Sequence, residues 1–122
     1  MSAAGRRLET ASLTPLHWVA IALAIVTGVV HLVLGVGFLP HWMGIAFVLA
    51  AGGFFGAVVL VLVGYRRRLL YLVGIPYTGI QIVLWYALNR PASVADVSAV
   101  EAIDKIAQVA LIVALIVLYR ES

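Results

Sequence analysis

One stretch of the chain carries no charged side chain and is too long for a single membrane-spanning helix. From Leu16 to Tyr65 the sequence contains no Asp, Glu, Lys or Arg. A helix of roughly fifty residues would be about 75 Å long, against a hydrocarbon core of about 30 Å. The stretch therefore predicts two spans. Gly35, Gly37 and Pro40 mark the turn between them, because proline cannot continue a helix interior.

The composition places nearly the whole chain in lipid. Of the 122 residues, 65% are hydrophobic and 11% are charged, whereas a soluble domain has about 25% charged residues. A soluble chain of this size could not cover so much apolar surface, because small domains have a high ratio of surface to volume. The sequence also has no cysteine, which excludes disulfides, thiol redox chemistry, thiolate metal sites and iron–sulfur clusters.

Two further spans follow, so the predicted fold is an all-α, integral membrane four-helix antiparallel bundle. Thr14 suits the cap of the first span and Pro15 its first turn. Pro76 predicts a kink in the third span. The uncharged part of the fourth span is too short to cross the membrane, so this helix has to begin near Ser98, which forms a capping box with Glu101. The predicted division is a cytoplasmic amino-terminal tail, 1–14, and a transmembrane domain, 15–120, with spans at about 16–39, 41–64, 69–89 and 99–119.

The distribution of Lys and Arg predicts how the bundle is oriented. The loop between the first and second spans has no basic residue. In the segment between the third and fourth spans, acidic residues offset the positive charges of Arg90 and Lys105. Basic residues concentrate on the cytoplasmic side, so we expect a multi-pass protein of the cell membrane with both termini in the cytoplasm. The run 66–68 is interpreted as a topology anchor and as a contact for anionic lipid heads. Because the basic residues flank apolar stretches, no nucleic-acid partner is expected. The residues that decide the orientation are Arg6, Arg7, Arg66, Arg67, Arg68 and Arg120.

Polar side chains on three predicted spans fall at similar depth. Counted from the predicted cytoplasmic ends, His31 and Asp104 lie about 24 Å into the membrane, and Gln81 and Gln108 lie about 18–20 Å in. Glu101 shares a helix face with Asp104 and Gln108. Ionisable groups at membrane depth are costly, so this layer is a candidate site in the outer half, with His31 and Asp104 as partners. The alternative is structural, because buried polar groups also join helices by hydrogen bonds.

The sequence predicts no cofactor and no metal site. A bis-histidine haem needs two histidines at equal depth, whereas His17 lies near the inner end of the first span and His41 begins the second. Two copies of His31 in a dimer could still meet that requirement. A metal held by His31, Asp104 and Glu101 is a weak hypothesis, because these residues have no recognised ligand spacing.

The second span is rich in small residues. Gly52 and Gly56 stand four residues apart, a spacing that lets helix backbones approach closely. We expect this pair to pack inside the bundle or, as the second interpretation, to form a seam between protomers.

Three segments resemble a family of short four-span membrane proteins from haloarchaea: SLTPLHWVAIALAIVTGVVHLVLGV, YRRRLLYLVGIPYTGIQIVLWYALN and VEAIDKIAQVALIVALIVLYRES. The resemblance covers nearly the whole chain. It implies a haloarchaeal source and a four-span topology, and no chemistry, since the family has no assigned activity. The size and span count are also similar to small multidrug-resistance transporters. Those proteins need a glutamate in the first helix, where this chain has Thr27 and His31.

Three functional hypotheses fit these observations. The first is a non-enzymatic accessory or scaffolding subunit, packed against a larger membrane complex or a homo-oligomer, because the short loops leave no room for a substrate domain. The alternative is a small proton-linked transporter or channel that uses the pair His31 and Asp104. The third is a membrane enzyme or redox subunit that binds a lipid-soluble molecule at the polar layer. The lipid bilayer is the partner that the composition requires.

Overall fold

Four long helices form the computed structural model, which describes residues 10–122. The predicted all-α fold is confirmed for this part of the chain, and all four helices are long and apolar enough to cross a membrane. Their ends differ from the predicted bounds by less than one turn. Arg6 and Arg7, which were used to predict orientation, lie outside the described residues. The helices are α1 (Pro15–Phe38), α2 (Trp42–Leu62), α3 (Arg67–Asn89) and α4 (Ala99–Glu121), with short 3-10 turns at Thr10–Ser12 and Val94–Asp96.

Local sequence explains where α1 and α4 begin. Pro15 takes the first position of α1, where its missing N–H breaks no hydrogen bond. Just before it, the backbone N–H of Thr14 donates to Nδ1 of His17 at 3.0 Å. Ser98 and Glu101 form the capping box that the sequence predicts: Glu101 N donates to Ser98 Oγ at 3.1 Å, and Ser98 N donates to Glu101 Oε1 at 3.3 Å.

The two ends of α3 are defined by residues with left-handed backbone conformation. Arg66 precedes the helix with φ of 45°, and Arg90 follows it with φ of 42°. This conformation favours glycine, because a Cβ meets the following carbonyl oxygen. Pro76 lies inside α3, and the helix continues through it from Arg67 to Asn89. Pro76 therefore does not break the helix, and a kink at this residue stays a prediction.

The helices pack side by side in the order α2, α1, α4, α3. Helix α1 contacts α2 and α4, and α4 also contacts α3, whereas α2 and α3 barely touch. Both described chain ends and the α2–α3 connection lie at one end of the bundle, here named the near end. The α1–α2 and α3–α4 connections lie at the opposite end, named the far end. The short α2–α3 connection thus joins two helices that have little contact with each other.

Glycines bring α1 and α2 into close contact toward the far end. A Cβ built on Gly44 would lie 2.6 Å from the carbonyl oxygen of Gly35, so only glycine fits there. Gly52 and Gly56 behave differently, since a Cβ on either one would meet nothing within 4 Å. The prediction that this second pair packs inside the bundle is wrong, because the face of α2 that is buried carries Gly44, Ala51 and other residues instead.

Large apolar side chains cover the outside of the bundle. Leu49 on α2 and Ile106 on α4 are both 69% exposed, and no helix in the described part of the chain covers either one. Extended apolar surfaces of this kind are rare on soluble monomers and ordinary on helices that face lipid. The exposed residues therefore agree with the composition in placing the helices in a membrane.

Two of the three consecutive arginines join chain segments at the near end. An Nη of Arg67 donates to Ser12 Oγ at 2.6 Å. Arg68 donates to the carbonyl oxygen of Ser122 at 2.9 Å. These contacts fasten the segment before α1 and the end of α4 to the start of α3. Binding of lipid heads by the triple arginine stays a prediction.

Candidate functional site

A buried carboxylate, that of Asp104, links α1 to α4. Asp104 is 4% exposed. Its Oδ1 accepts a hydrogen bond from Thr27 Oγ1 at 2.5 Å, and its Oδ2 accepts one from Lys105 Nζ at 2.8 Å. A buried charge is tolerated only when it is paired and hydrogen-bonded. Thr27 and Lys105 meet both conditions for Asp104.

His31 lies one turn beyond Thr27 on α1. Its Nδ1 is 2.8 Å from the carbonyl oxygen of Thr27, and 3.9 Å from Oδ1 of Asp104. A carbonyl oxygen only accepts, so Nδ1 carries a hydrogen and donates it to Thr27. The rings of Phe47 and Phe54 stand 5.2 and 5.9 Å from the imidazole. These contacts fix the ring and leave Nε2 without a hydrogen-bond partner in the described part of the chain.

Two glutamines extend the network from α4 to α3. Lys105 Nζ donates to Gln108 Oε1 at 2.7 Å, and Gln108 Nε2 donates to Gln81 Oε1 at 3.0 Å. An ammonium can only donate, so Lys105 fixes which end of the Gln108 amide faces it. The amide of Gln108 fixes that of Gln81 in the same way. The Nε2 of Gln81 is left as a donor with no partner among residues 10–122.

Glu101 makes a separate polar contact closer to the far end. Its Oε2 accepts a hydrogen bond from Trp85 Nε1 at 2.7 Å. The Nζ of Lys105 lies 5.6 Å from the centre of the Trp85 ring, within the range of a cation–π contact. Helices α3 and α4 are therefore joined by hydrogen bonds at two levels.

The structure brings together four of the residues that the sequence singled out, with the fifth, Glu101, one turn away. His31 is closer to Thr27 than to Asp104, and the cation that pairs with Asp104 is Lys105. Sequence reasoning treated Lys105 only as a topology charge and missed this role. Lys105 lies three residues before Gln108 on the same helix, and this spacing could have indicated a contact between the two side chains. The four residues are His31, Gln81, Asp104 and Gln108.

A pocket of about 730 Å³ opens between α2 and α3 beside this network. Its volume lies in the range of about 300–1,000 Å³ that small-molecule sites occupy. Its polar lining includes His31 and Gln81, together with Glu101, Asp104 and Lys105 on α4. The other lining residues are mainly apolar. They include Leu34, Phe38, Met43, Ala46, Phe47, Leu84 and Leu88.

A smaller apolar cavity of about 70 Å³ lies toward the near end. The hydroxyls of Tyr71 and Thr78 line it and are buried without a hydrogen-bond partner among the described residues.

His17 also lines this cavity, and His41 caps α2 at the other end of the bundle. The three histidines are therefore far apart within one chain. Residues 10–122 contain no group of three His, Asp or Glu side chains that could hold a metal ion.

Comparison with known proteins identifies a family and no activity. Residues 3–119 match the profile of a family described as "Family of unknown function (DUF7475)". The chain belongs to this family. No curated protein and no solved structure matches the chain. The family description assigns no function and does not address the source, so the haloarchaeal origin stays a prediction.

Proposed function

We propose that the protein binds a small amphipathic, lipid-soluble molecule in the pocket between α2 and α3, at the depth of the hydrocarbon region. The observation that carries this proposal is the combination of a few polar side chains with a mainly apolar lining in a cavity of about 730 Å³. Bound small molecules are typically held by an apolar lining that supplies contact area and a few polar groups that fix orientation. This pocket has both parts.

The charges around the pocket favour a ligand that is not an anion. Glu101 and Asp104 are carboxylates, and the one ammonium in the lining is that of Lys105. Lys105 is already engaged by Asp104 and Gln108. The lining thus has two acidic side chains and one lysine, an excess of one negative charge. A carboxylate or phosphate head would meet that charge in a medium where repulsion is weakly screened, so a neutral molecule fits better.

The sequence also suggests a proton-linked transporter and an accessory subunit. A proton-linked transporter would exchange protons between His31 and Asp104, but their 3.9 Å separation is longer than a hydrogen bond. Both carboxylate oxygens of Asp104 are engaged by other donors. An accessory role is compatible with ligand binding and stays a prediction, because the contacts within one chain identify no partner.

A pocket-filling substitution tests the proposal. Ala46 lines the pocket on α2, so Ala46→Phe places a ring where the ligand would lie. Ala22 is exposed on α1 and lines neither cavity, so Ala22→Phe is a control with the same chemistry. Each protein is transferred directly from membranes into lipid nanodiscs, and neutral molecules bound to it are extracted and quantified by mass spectrometry.

We expect one class of neutral molecule at a near-constant ratio to protein in the wild type and in Ala22→Phe. Its amount should fall at least about fivefold in Ala46→Phe, because the ring removes apolar contact area that supplies affinity. Thermal melting of all three proteins checks that Ala46→Phe is folded. Equal amounts in the three folded proteins would refute ligand binding in this pocket.

A further inference from the structure

We infer that the large pocket is a vestibule that opens to water at the far end of the bundle and is closed toward the near end. Such an opening gives the neutral molecule of the proposed function a route to its site from one face of the membrane. That route rests on the proposed function, whereas the opening itself does not. The observations that carry the inference are the places of the lining residues on the four helices and the packing beneath them.

The pocket reaches the far end of every helix. Its lining includes the last residue of α1, the first of α2, the last of α3 and the cap before α4, which are Phe38, Trp42, Asn89 and Ser98. All four residues are exposed. The helices are 21 to 24 residues long, which matches a hydrocarbon core of about 30 Å, so their ends lie at the membrane surface. The pocket therefore meets the aqueous phase at the far end.

The pocket ends at the polar layer. On α2 its lining runs from Trp42 to Ala50, and on α3 it runs from Asn89 back to Gln81. Each interval is eight residues along the helix, or about 12 Å. The pocket thus extends through less than half of a hydrocarbon core of about 30 Å.

Closely packed side chains form the floor of the pocket. Each helix contributes one of them just beyond the polar layer: Thr27, Phe54, Thr78 and Gln108, which are 0%, 4%, 1% and 0% exposed. Phe54 and Thr78 line the smaller cavity on the near side. Among residues 10–122, no side chain lines both cavities. The two cavities are therefore separate, and the large one does not continue toward the near end.

The charged side chains of the far half also favour water in the pocket. In the far halves of the four helices these are Glu101, Asp104 and Lys105, and all three line the pocket. Charged side chains within spanning helices almost always face a bundle interior or a water-filled cavity. Water in the pocket would also reduce the desolvation penalty of the pair formed by Asp104 and Lys105.

Lipid chains are the competing content of the pocket. Helices α2 and α3 have little contact, so lipid could fill the space between them from the side. Water and lipid differ in their effect on a thiol, because thiol reagents attack the thiolate, which forms in water and is disfavoured in apolar surroundings. The chain contains no cysteine, so a single introduced cysteine reports on its own surroundings.

Ala50 and Leu49 are adjacent on α2 and provide a matched pair at one depth. Ala50 lines the pocket at its deepest turn, whereas Leu49 is 69% exposed on the outside of the bundle and does not line it. Full-length Ala50→Cys and Leu49→Cys are washed in detergent until mass spectrometry detects no bound molecule, placed in nanodiscs and treated with a charged methanethiosulfonate. We expect Ala50→Cys to react at least about tenfold faster than Leu49→Cys. Thermal melting checks that both variants are folded.

Sealed membranes identify the face from which the pocket is reached. The same reagent is added to intact cells and, separately, to inverted vesicles. Ser93→Cys in the α3–α4 connection and Ser122→Cys after α4 report whether the far or the near end faces the reagent. Ala50→Cys should react in the preparation in which Ser93→Cys reacts, over a period long enough for bound molecules to exchange. Ala57→Cys, which lines the smaller cavity on the same helix, should react in neither.

Each outcome separates the inference from the proposed function. If Ala50→Cys reacts no faster than Leu49→Cys in nanodiscs, lipid fills the pocket and the inference is overturned. Reaction of Ala50→Cys where only Ser122→Cys reacts, or reaction of Ala57→Cys, overturns the closed floor. If Ala50→Cys reacts as expected but extraction of the wild type recovers no neutral molecule, the vestibule stands and the proposed function fails.

Discussion

Two buried threonines offer a matched test of the hydrogen-bond network. Thr27 and Thr78 are 0% and 1% exposed, and both lie inside spanning helices. The hydroxyl of Thr27 donates to the carboxylate of Asp104, whereas that of Thr78 has no partner among the described residues. Threonine and valine have nearly the same shape, so Thr27→Val and Thr78→Val remove the same atom from different environments. We expect opposite effects on the free energy of unfolding.

The magnitudes follow from what each hydroxyl contacts. A hydrogen bond to a charged group contributes about 1.5–3 kcal/mol in soluble proteins, and hydrogen bonds between membrane helices reach about 1.7 kcal/mol at most in double-mutant cycles. Thr27→Val should therefore cost about 1–2 kcal/mol. Thr78→Val removes a buried hydroxyl whose desolvation is uncompensated, so it should be neutral or stabilise by up to about 1 kcal/mol.

Unfolding by sodium dodecyl sulfate in mixed micelles, followed by circular dichroism, measures both free energies. Repeating Thr27→Val in an Asp104→Asn background identifies the acceptor, because a neutral amide oxygen accepts a bond about half as strong. The cost should fall to about half its value there. Equal effects of the two valine substitutions, or an unchanged cost in the Asn background, would refute the network as described.

Three further expectations follow from single contacts. Lys105→Met leaves the carboxylate of Asp104 buried without its cation and should cost about 3 kcal/mol in the same assay, most of which the added change Asp104→Asn should restore. If the double variant is no more stable than Lys105→Met, the pairing is not the cause. Gly44→Ala should destabilise by about 1–3 kcal/mol through the clash with α1, whereas Gly52→Ala, in open space, should stabilise by about 0.5–1 kcal/mol; similar effects would contradict the assigned faces of α2. Tyr77→Phe removes the hydrogen bond that the Tyr77 hydroxyl on α3 donates to the carbonyl oxygen of Ala50 on α2 and should cost about 0.5–1.5 kcal/mol in the same assay; an unchanged free energy of unfolding would count against this contact.

The number and position of the spans could be predicted because lipid imposes a strict length and polarity on each helix. The break near Pro40 and the capping box at Ser98 and Glu101 both follow from local chemistry that needs no knowledge of packing. The depth of the polar layer could be predicted as well, because the rise per residue of a helix gives the distance of each residue from the end of its span. Height and helix identity were enough to group His31 with Asp104.

The lateral order of the helices could not be predicted in this way. Short connections suggest that neighbours in sequence pack together, yet α2 and α3 separate while α1 and α4 meet. An almost uniformly apolar helix such as α2 has no polar face to indicate which side packs inward. The prediction for Gly52 was wrong for this reason. The role of Lys105 was missed because depth in the membrane does not distinguish a charge at the interface from one that pairs with a buried carboxylate. Its reach to Asp104 depends on a side-chain conformation.

The polar network also explains why the pocket lies where it does. Hydrogen bonds join α1, α4 and α3 through Asp104, Gln108 and Gln81, whereas α2 has no polar side chain between Trp42 and Leu62. Apolar contact gives little preference for a neighbouring helix over lipid, so α2 is fastened mainly by its glycine contact with α1. Across the α2–α3 seam, the hydroxyl of Tyr77 donates to the carbonyl oxygen of Ala50 at 2.8 Å. Helix α2 thus lacks the side-chain hydrogen bonds that join the other three helices, and its contacts with α1 and the bond from Tyr77 hold this wall of the pocket in place.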